Sequence, residues 1–145
     1  MKSLALQLLD KFDSHISAKF LFYPHAIQLS FMEEAVGFTG LHCVAYLGID
    51  EIAGTLLDVK DWGVDKADFI GRTPLVWASK NGCEGVMKLL LEKAGASLKV
   101  GDTMNGQTPL SWAAQYGQKG AVKLLLERDE VNLEARDNSG RTPLS

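Results

Sequence analysis

The sequence predicts an all-α solenoid, in which helix-turn-helix units stack through turn or hairpin connections behind an N-terminal helical cap. The first observation is a repeated motif: GRTPL stands at 71–75 and 140–144, and the near copy GQTPL stands at 106–110. The second is that two glycines and a leucine-rich stretch recur in phase with this motif. The repeat length, 34 or 35 residues, is typical of units that bury their apolar faces only by stacking.

The recurring positions keep an almost constant spacing. The glycine before the motif recurs after 34, 35 and 34 residues, at Gly37, Gly71, Gly106 and Gly140. A second glycine lies eleven residues after each of the first three, at Gly48, Gly82 and Gly117. Leucine-rich ends follow at 55–57, 89–91 and 124–126. Three independent markers in one phase indicate true internal repeats.

Residues 1–33 do not repeat and are predicted to form the helical cap. Apolar residues recur there every four positions, as on one face of an amphipathic helix, at Leu4, Leu8, Phe12, Ile16 and Phe20. Pro24 ends this pattern. A solenoid needs an atypical end unit, which favours a cap over the alternative, a linker from an upstream domain.

Each repeat predicts a turn followed by two short helices. Stretches such as DFIG and DNSG favour a tight turn. Thr73, Thr108 and Thr142 are placed to cap a helix, and the proline that follows suits the first helical position. Gly82 and Gly117 are expected to end the first helices in the left-handed conformation. Apolar spacings of three and four predict the second helices.

Stretches 71–96 and 106–132 resemble ankyrin repeats in motif, period and order. The resemblance covers roughly residues 34–145 and implies units at 34–67, 68–102, 103–136 and a truncated one at 137–145. The first copy departs from the family pattern at Gly40 and Val44 but keeps the family's histidine, as His42. The variant TPLSWAA is similar to the ankyrin arrays of fungal NACHT-type receptor proteins. Because the last copy stops at Ser145, we expect a fragment or a shortened product.

Composition excludes several classes of partner and site. A net charge of -3 and scattered lysines and arginines give no reason to expect nucleic acid or an anionic membrane. No apolar stretch is long enough to span a bilayer, and no signal peptide is evident. Two cysteines cannot form a disulfide framework. We expect an intracellular protein, cytoplasmic or nuclear, that is monomeric or part of a larger polypeptide.

No catalytic constellation, metal site or cofactor motif emerges, so the sequence predicts a protein that is not an enzyme. His42 and Cys43 are adjacent, and adjacent helical residues point about 100° apart. Cys83 begins a second helix, where a thiol pKa can fall, but it lacks a basic neighbour in sequence, which favours a structural thiol. Paired-cysteine zinc spacings and glycine-rich phosphate loops are absent.

Trp77 and Trp112 lie one repeat apart in the same phase. They could form a ladder on which a ligand stacks, or they could fill the seam between repeats. Packing in the seam is favoured, and each indole N–H then needs a hydrogen-bond acceptor.

The resemblance implies a concave surface, made of turn tips and the exposed face of the first helices, on which the family binds proteins. Carried over position by position, the candidate partner-binding residues are Tyr46, Leu47, Phe69, Ile70, Arg72, Lys80, Asn81, Met104, Asn105, Gln107, Gln115, Tyr116, Asn138, Ser139 and Arg141. Aromatic, methionine and arginine side chains are what the centres of interfaces favour. The sequence therefore predicts a non-catalytic protein–protein interaction module. The alternatives are a ligand-sensing regulatory segment of a larger NTPase receptor and a structural spacer.

Overall fold

The computed structural model describes residues 38–59, 61 and 63–145. This part of the chain contains six helices and no strand, which confirms the all-α prediction. The helices form three consecutive pairs: α1 (Gly40–Leu47) with α2 (Asp50–Val59), α3 (Pro74–Asn81) with α4 (Glu84–Glu92), and α5 (Pro109–Gln115) with α6 (Lys119–Leu126). The cap predicted over residues 1–33 lies outside the described residues.

The first helices of the second and third pairs begin as the sequence predicts. The hydroxyl of Thr73 accepts a hydrogen bond from the amide of Val76 at 3.3 Å, and Thr108 accepts from Ser111 at the same distance. Pro74 and Pro109 occupy the first helical positions, where a missing N–H leaves no hydrogen bond unmade. The TPL motif is thus a helix start in both repeats.

Glycines close these helices by adopting a conformation that other residues reach only under strain. Gly82 lies directly after α3 with φ of 69°, and its amide donates to carbonyls of the last turn. Gly117 has φ of 66° and follows α5 after one intervening residue, Tyr116. The left-handed turn reverses the chain so that the second helix packs back against the first.

The pairs stack so that first helices contact first helices and second helices contact second helices. Equivalent leucines on the first helices, Leu41, Leu75 and Leu110, are at most 1% exposed. The second helices contribute a matching buried row of leucines, Leu56, Leu90 and Leu125. Ala78 and Ala113 are fully buried, and their small side chains allow the first helices to approach closely. The core is therefore continuous from one pair to the next.

The last repeat contains a turn and a helix start only. Its turn is closed by a hydrogen bond from the amide of Gly140 to the carbonyl of Asp137 at 2.8 Å. Beyond it, the amide of Ser145 donates to the carbonyl of Thr142 at 3.2 Å, which forms one turn of backbone. Pro143 is buried. The fourth TPL motif therefore takes part in the packing without forming a helix.

We expect Gly71→Ala to destabilise the protein far more than Gly117→Ala. Both glycines have positive φ, so alanine costs about 1 kcal/mol at either position from backbone conformation alone. A Cβ at Gly71 would also overlap the backbone nitrogen of Thr103 in the next repeat, whereas a Cβ at Gly117 meets nothing within 4 Å. The additional cost for Gly71→Ala should be at least about 2 kcal/mol, because backbone atoms cannot move aside cheaply. Urea denaturation of the two variants measures this difference, and equal losses would contradict it.

Candidate functional site

A buried aspartate holds the turn that precedes each of the last three TPL motifs. One carboxylate oxygen of Asp68 accepts the amides of Ile70 at 3.1 Å and Arg72 at 2.8 Å. Asp102 accepts the amides of Met104 and Asn105 in the next turn at 3.0 and 2.7 Å. The carboxylate of Asp137 repeats the arrangement with the amides of its own turn, at 2.9 Å each. These bonds fix the backbone from which the predicted turn-tip residues project.

The second carboxylate oxygen connects the turn to the first helix. The indole N–H of Trp77 donates to Asp68 Oδ2 at 2.9 Å, and that of Trp112 donates to Asp102 Oδ2 at 2.9 Å. The indoles are only 3% and 4% exposed, so they fill the seam between repeats as the sequence analysis favoured. A ladder of exposed rings for ligand stacking is not formed. Each indole instead ties its turn rigidly to its helix.

The third turn uses a different donor in place of an indole. Arg141 donates from Nε to Asp137 Oδ2 at 2.9 Å, and its Nη2 lies 2.9 Å from the same oxygen. The pKa of Asp137 is lowered mainly by the hydrogen bond from the backbone amide of Arg141. The hydrogen bond from the Arg141 side chain lowers that pKa further. Arg141 is therefore partly committed to the turn, although its side chain remains exposed.

All but one of the predicted partner-binding residues are exposed or half-buried, and we call this set the turn-tip surface. Its apolar members are between 39% and 66% exposed: Tyr46, Leu47, Phe69, Met104 and Tyr116. Its exposed polar members are Asn105, Gln115, Asn138, Ser139 and Arg141. Its half-buried members are Ile70, Arg72, Lys80 and Asn81.

Gln107 is the predicted residue that does not reach this surface. It is 5% exposed, and its side-chain amide donates to Gln115 Oε1 at 2.6 Å. That bond joins the turn to the first helix of the same repeat. Gln107 supports the surface from beneath and is not available to a partner.

Hydrogen bonds between repeats hold neighbouring parts of the surface in register. The side chain of Asn138 donates to the carbonyl of Met104 at 3.0 Å, and its amide donates to Asn105 at 2.7 Å. Asn81 donates to the carbonyl of Tyr46 at 3.3 Å in the same manner. Asn81 and Asn138 are predicted partner-binding residues, and the structure shows that their side chains align adjacent repeats.

His42 has a structural role at the start of α1. It is fully buried, and its Nδ1 accepts the backbone N–H of Thr39 at 3.1 Å. Because a backbone N–H can only donate, the proton of the neutral ring is on Nε2, which donates to the carbonyl of Arg72 at 3.1 Å. Burial lowers the pKa of His42 from 6.5 to about 4, despite the opposing effect of Asp68. A neutral ring fixed at both nitrogens does not act as a general base.

Neither cysteine has the character of a nucleophile. Burial raises the pKa of the Cys43 thiol to about 11. Cys83 lies at the N-cap of α4, but burial, together with the charge of Asp50, raises its pKa as well. The helix N-terminus therefore does not activate this thiol, in agreement with the structural interpretation of the sequence.

Other kinds of site find no support in the part of the chain that the structure describes. It holds no group of three His, Cys, Asp or Glu side chains arranged to bind a metal ion. None of its helices has the length and apolar character needed to cross a membrane.

The double role of the aspartates was not predicted from the sequence. Asp was interpreted only as a turn-forming residue, although Asp68, Asp102 and Asp137 recur at spacings of 34 and 35 residues. That periodicity, together with a tryptophan nine or ten residues later in two repeats, was the available signal. It would have supplied the acceptor that each indole needs.

A family model described as ankyrin repeats, in three copies, matches residues 11–102 and 95–145. The two matched stretches together span residues 11–145, well over half of the chain. A search of curated proteins gave no match.

Replacing Asp102 by alanine should lower the free energy of unfolding by about 3 kcal/mol, because it leaves a buried indole N–H and several turn amides without an acceptor. Asp129→Ala removes an exposed carboxylate and should change stability by less than about 0.5 kcal/mol. Both effects can be measured by urea denaturation. A loss for Asp102→Ala as small as that of the control would show that the carboxylate does not hold the turn.

The protein should lose stability as the pH falls from 7 to 5. Because the pKa of His42 is depressed in the folded chain, the unfolded chain binds more protons between about pH 4 and 6.5, and acid favours unfolding. The expected loss is roughly 2 kcal/mol, at up to 1.4 kcal/mol per pH unit. Urea denaturation at both pH values measures it. The variant His42→Gln should be less stable at pH 7 yet lose markedly less on acidification; an unchanged pH dependence would refute the assignment to His42.

Proposed function

Because the chain belongs to the ankyrin-repeat family, we propose that it is a non-catalytic module that binds a protein partner through the turn-tip surface, the predicted concave face. Ankyrin repeats are in general protein–protein interaction modules. In this chain the turn-tip surface is the binding surface, and its residues contact the partner.

The main support is the row of exposed apolar side chains on that surface. Phe69 and Met104 are exposed at neighbouring turn tips, Tyr46 is exposed on α1, and Tyr116 is exposed directly after α5. Large apolar side chains left in water at repeated positions are typical of an interface, where they become buried on binding. A surface spanning three repeats can bury on the order of 800 Å² on each partner, which is the usual size for a specific complex.

The rigidity of the scaffold beneath this surface also supports the proposal. Asp68 and Asp102 hold two adjacent turns, and their indole partners connect those turns to the helices. A partner then meets side chains whose backbone is already ordered, so little conformational entropy is lost on binding. Both cysteines are free thiols, which suits a reducing, intracellular compartment.

The test is partner capture from an extract of the source cells with wild-type protein and two variants. The variant Phe69→Ala, Ile70→Ala, Tyr116→Ala removes apolar side chains from the turn-tip surface. The control variant Val59→Ala, Leu126→Ala, Leu133→Ala removes exposed apolar side chains elsewhere. Circular dichroism checks that both variants are folded.

We expect a partner that the wild type and the control retain and that the turn-tip variant loses. The affinity should fall at least about tenfold, as for interface residues that each contribute more than 1 kcal/mol. Retention of the same partner by all three proteins would place the interface elsewhere. A structural spacer would show no partner that depends on any of these residues.

A further inference from the structure

Two cations of the turn-tip surface, Arg72 and Lys80, lie over aromatic rings. The guanidinium carbon of Arg72 is 5.1 Å from the centroid of the Trp77 ring and 4.5 Å from that of Trp112. The ammonium of Lys80 is 5.3 and 5.4 Å from the same two rings and 5.0 Å from that of Tyr116. We call Arg72 and Lys80 the cation pair. The rings orient these side chains and exclude part of the water around them.

The cation pair has no anionic partner of its own in the part of the chain that the structure describes. The ion pairs found there join other residues: Lys93 with Asp58, Arg128 with Glu92, and Arg141 with Asp137. The Nε of Arg72 is buried and has no hydrogen-bond acceptor.

The carboxylates of the two turns, Asp68 and Asp102, are already engaged with other groups. Asp68 and Asp102 accept turn amides and the indole N–H groups, and they lie at the bonded edge of the rings rather than over them. They do not provide an acceptor for the Nε of Arg72. Arg72 and Lys80 are thus two partly desolvated cations without a carboxylate as ion-pair partner among the described residues.

The distribution of charge over the molecule points the same way. The chain carries a net charge of -3, yet the fifteen predicted partner-binding residues include three cations and no carboxylate. The aspartates beneath this surface, Asp68, Asp102 and Asp137, accept turn amides, and Asp137 is also paired with Arg141. Among the described residues of this surface, Arg72 and Lys80 are thus the cations without an ion pair.

We infer that the partner of this surface is an acidic peptide segment, which places an Asp or Glu carboxylate against Arg72 and Lys80 and apolar side chains against Met104 and Tyr116. This inference rests on the proposed function and names the chemistry of its partner. A guanidinium and an ammonium held over the same aromatic rings can each donate to a carboxylate, and such charge-assisted bonds are strong where water is excluded. Two cations set among apolar side chains suit a short acidic and apolar segment better than the extended phosphate backbone of a nucleic acid.

The test is selection from a display library of random linear peptides on the immobilised chain. Bound peptides should be enriched in Asp or Glu next to apolar residues. A synthetic peptide of the enriched sequence is then titrated by fluorescence anisotropy, and its affinity should weaken as salt concentration rises.

Charge variants of the chain identify the residues responsible. The variant Arg72→Gln, Lys80→Gln should weaken binding of that peptide roughly tenfold or more, since each charged hydrogen bond contributes substantially to affinity. The matched control Lys88→Gln, Lys123→Gln removes the same charge from equivalent positions of α4 and α6 and should leave binding unchanged. The exchange Arg72→Lys, Lys80→Arg keeps both charges and should retain the preference for acidic peptides even if affinity falls.

Several outcomes would overturn the inference. If selected peptides need Phe69 and Tyr116 but show no acidic enrichment, the surface binds protein and the cation pair does not define the partner, so the proposed function alone survives. Equal weakening by the two glutamine variants would show a general charge effect. A single-stranded oligonucleotide that binds as tightly, with the same dependence on Arg72 and Lys80, would identify phosphate as the occupant. Failure to select any peptide would also contradict the inference. The proposed function would then be tested separately by the partner-capture experiment.

Discussion

The buried aspartates of the three described turns, Asp68, Asp102 and Asp137, are the constraint on which the rest of the surface depends. One oxygen of Asp68 closes a turn by accepting its amides, and the other receives the indole of Trp77 from the helix that follows. A buried carboxylate is costly unless its lone pairs are used, and here both oxygens accept hydrogen bonds. The same group therefore stabilises the turn, fixes the indole and sets the distance between turn tip and helix.

The helices and their ends could be predicted because their signals are local. Thr73 with Pro74 specifies a helix start within two residues, and Gly82 specifies its end through a backbone conformation that glycine alone adopts easily. Repetition strengthens such signals, since the same local solution must suit neighbouring units. The prediction of fold class followed from these positions and needed no knowledge of the packing.

The site was less predictable because it depends on contacts between repeats. The position of Gln107 in the repeat predicted an exposed residue. Its side chain is instead buried, because it is long enough to donate a hydrogen bond to the side-chain oxygen of Gln115. The sequence also placed Arg72 among exposed turn residues, whereas the rings of two successive repeats hold it partly buried. Neither outcome can be inferred from a single repeat. The pattern within one repeat identifies the positions that stacking leaves exposed. Contacts with the neighbouring repeat then determine which side chains at those positions remain accessible to a partner.

The hydrogen bonds of Asn81 and Asn138 have a further consequence for a bound partner. Each crosses one repeat boundary and reaches only the adjacent unit, so the repeats are coupled pairwise along the chain. A partner lying across several turn tips would touch units that do not touch one another. Binding would then link distant repeats thermodynamically, and the array would unfold more cooperatively in the complex than alone.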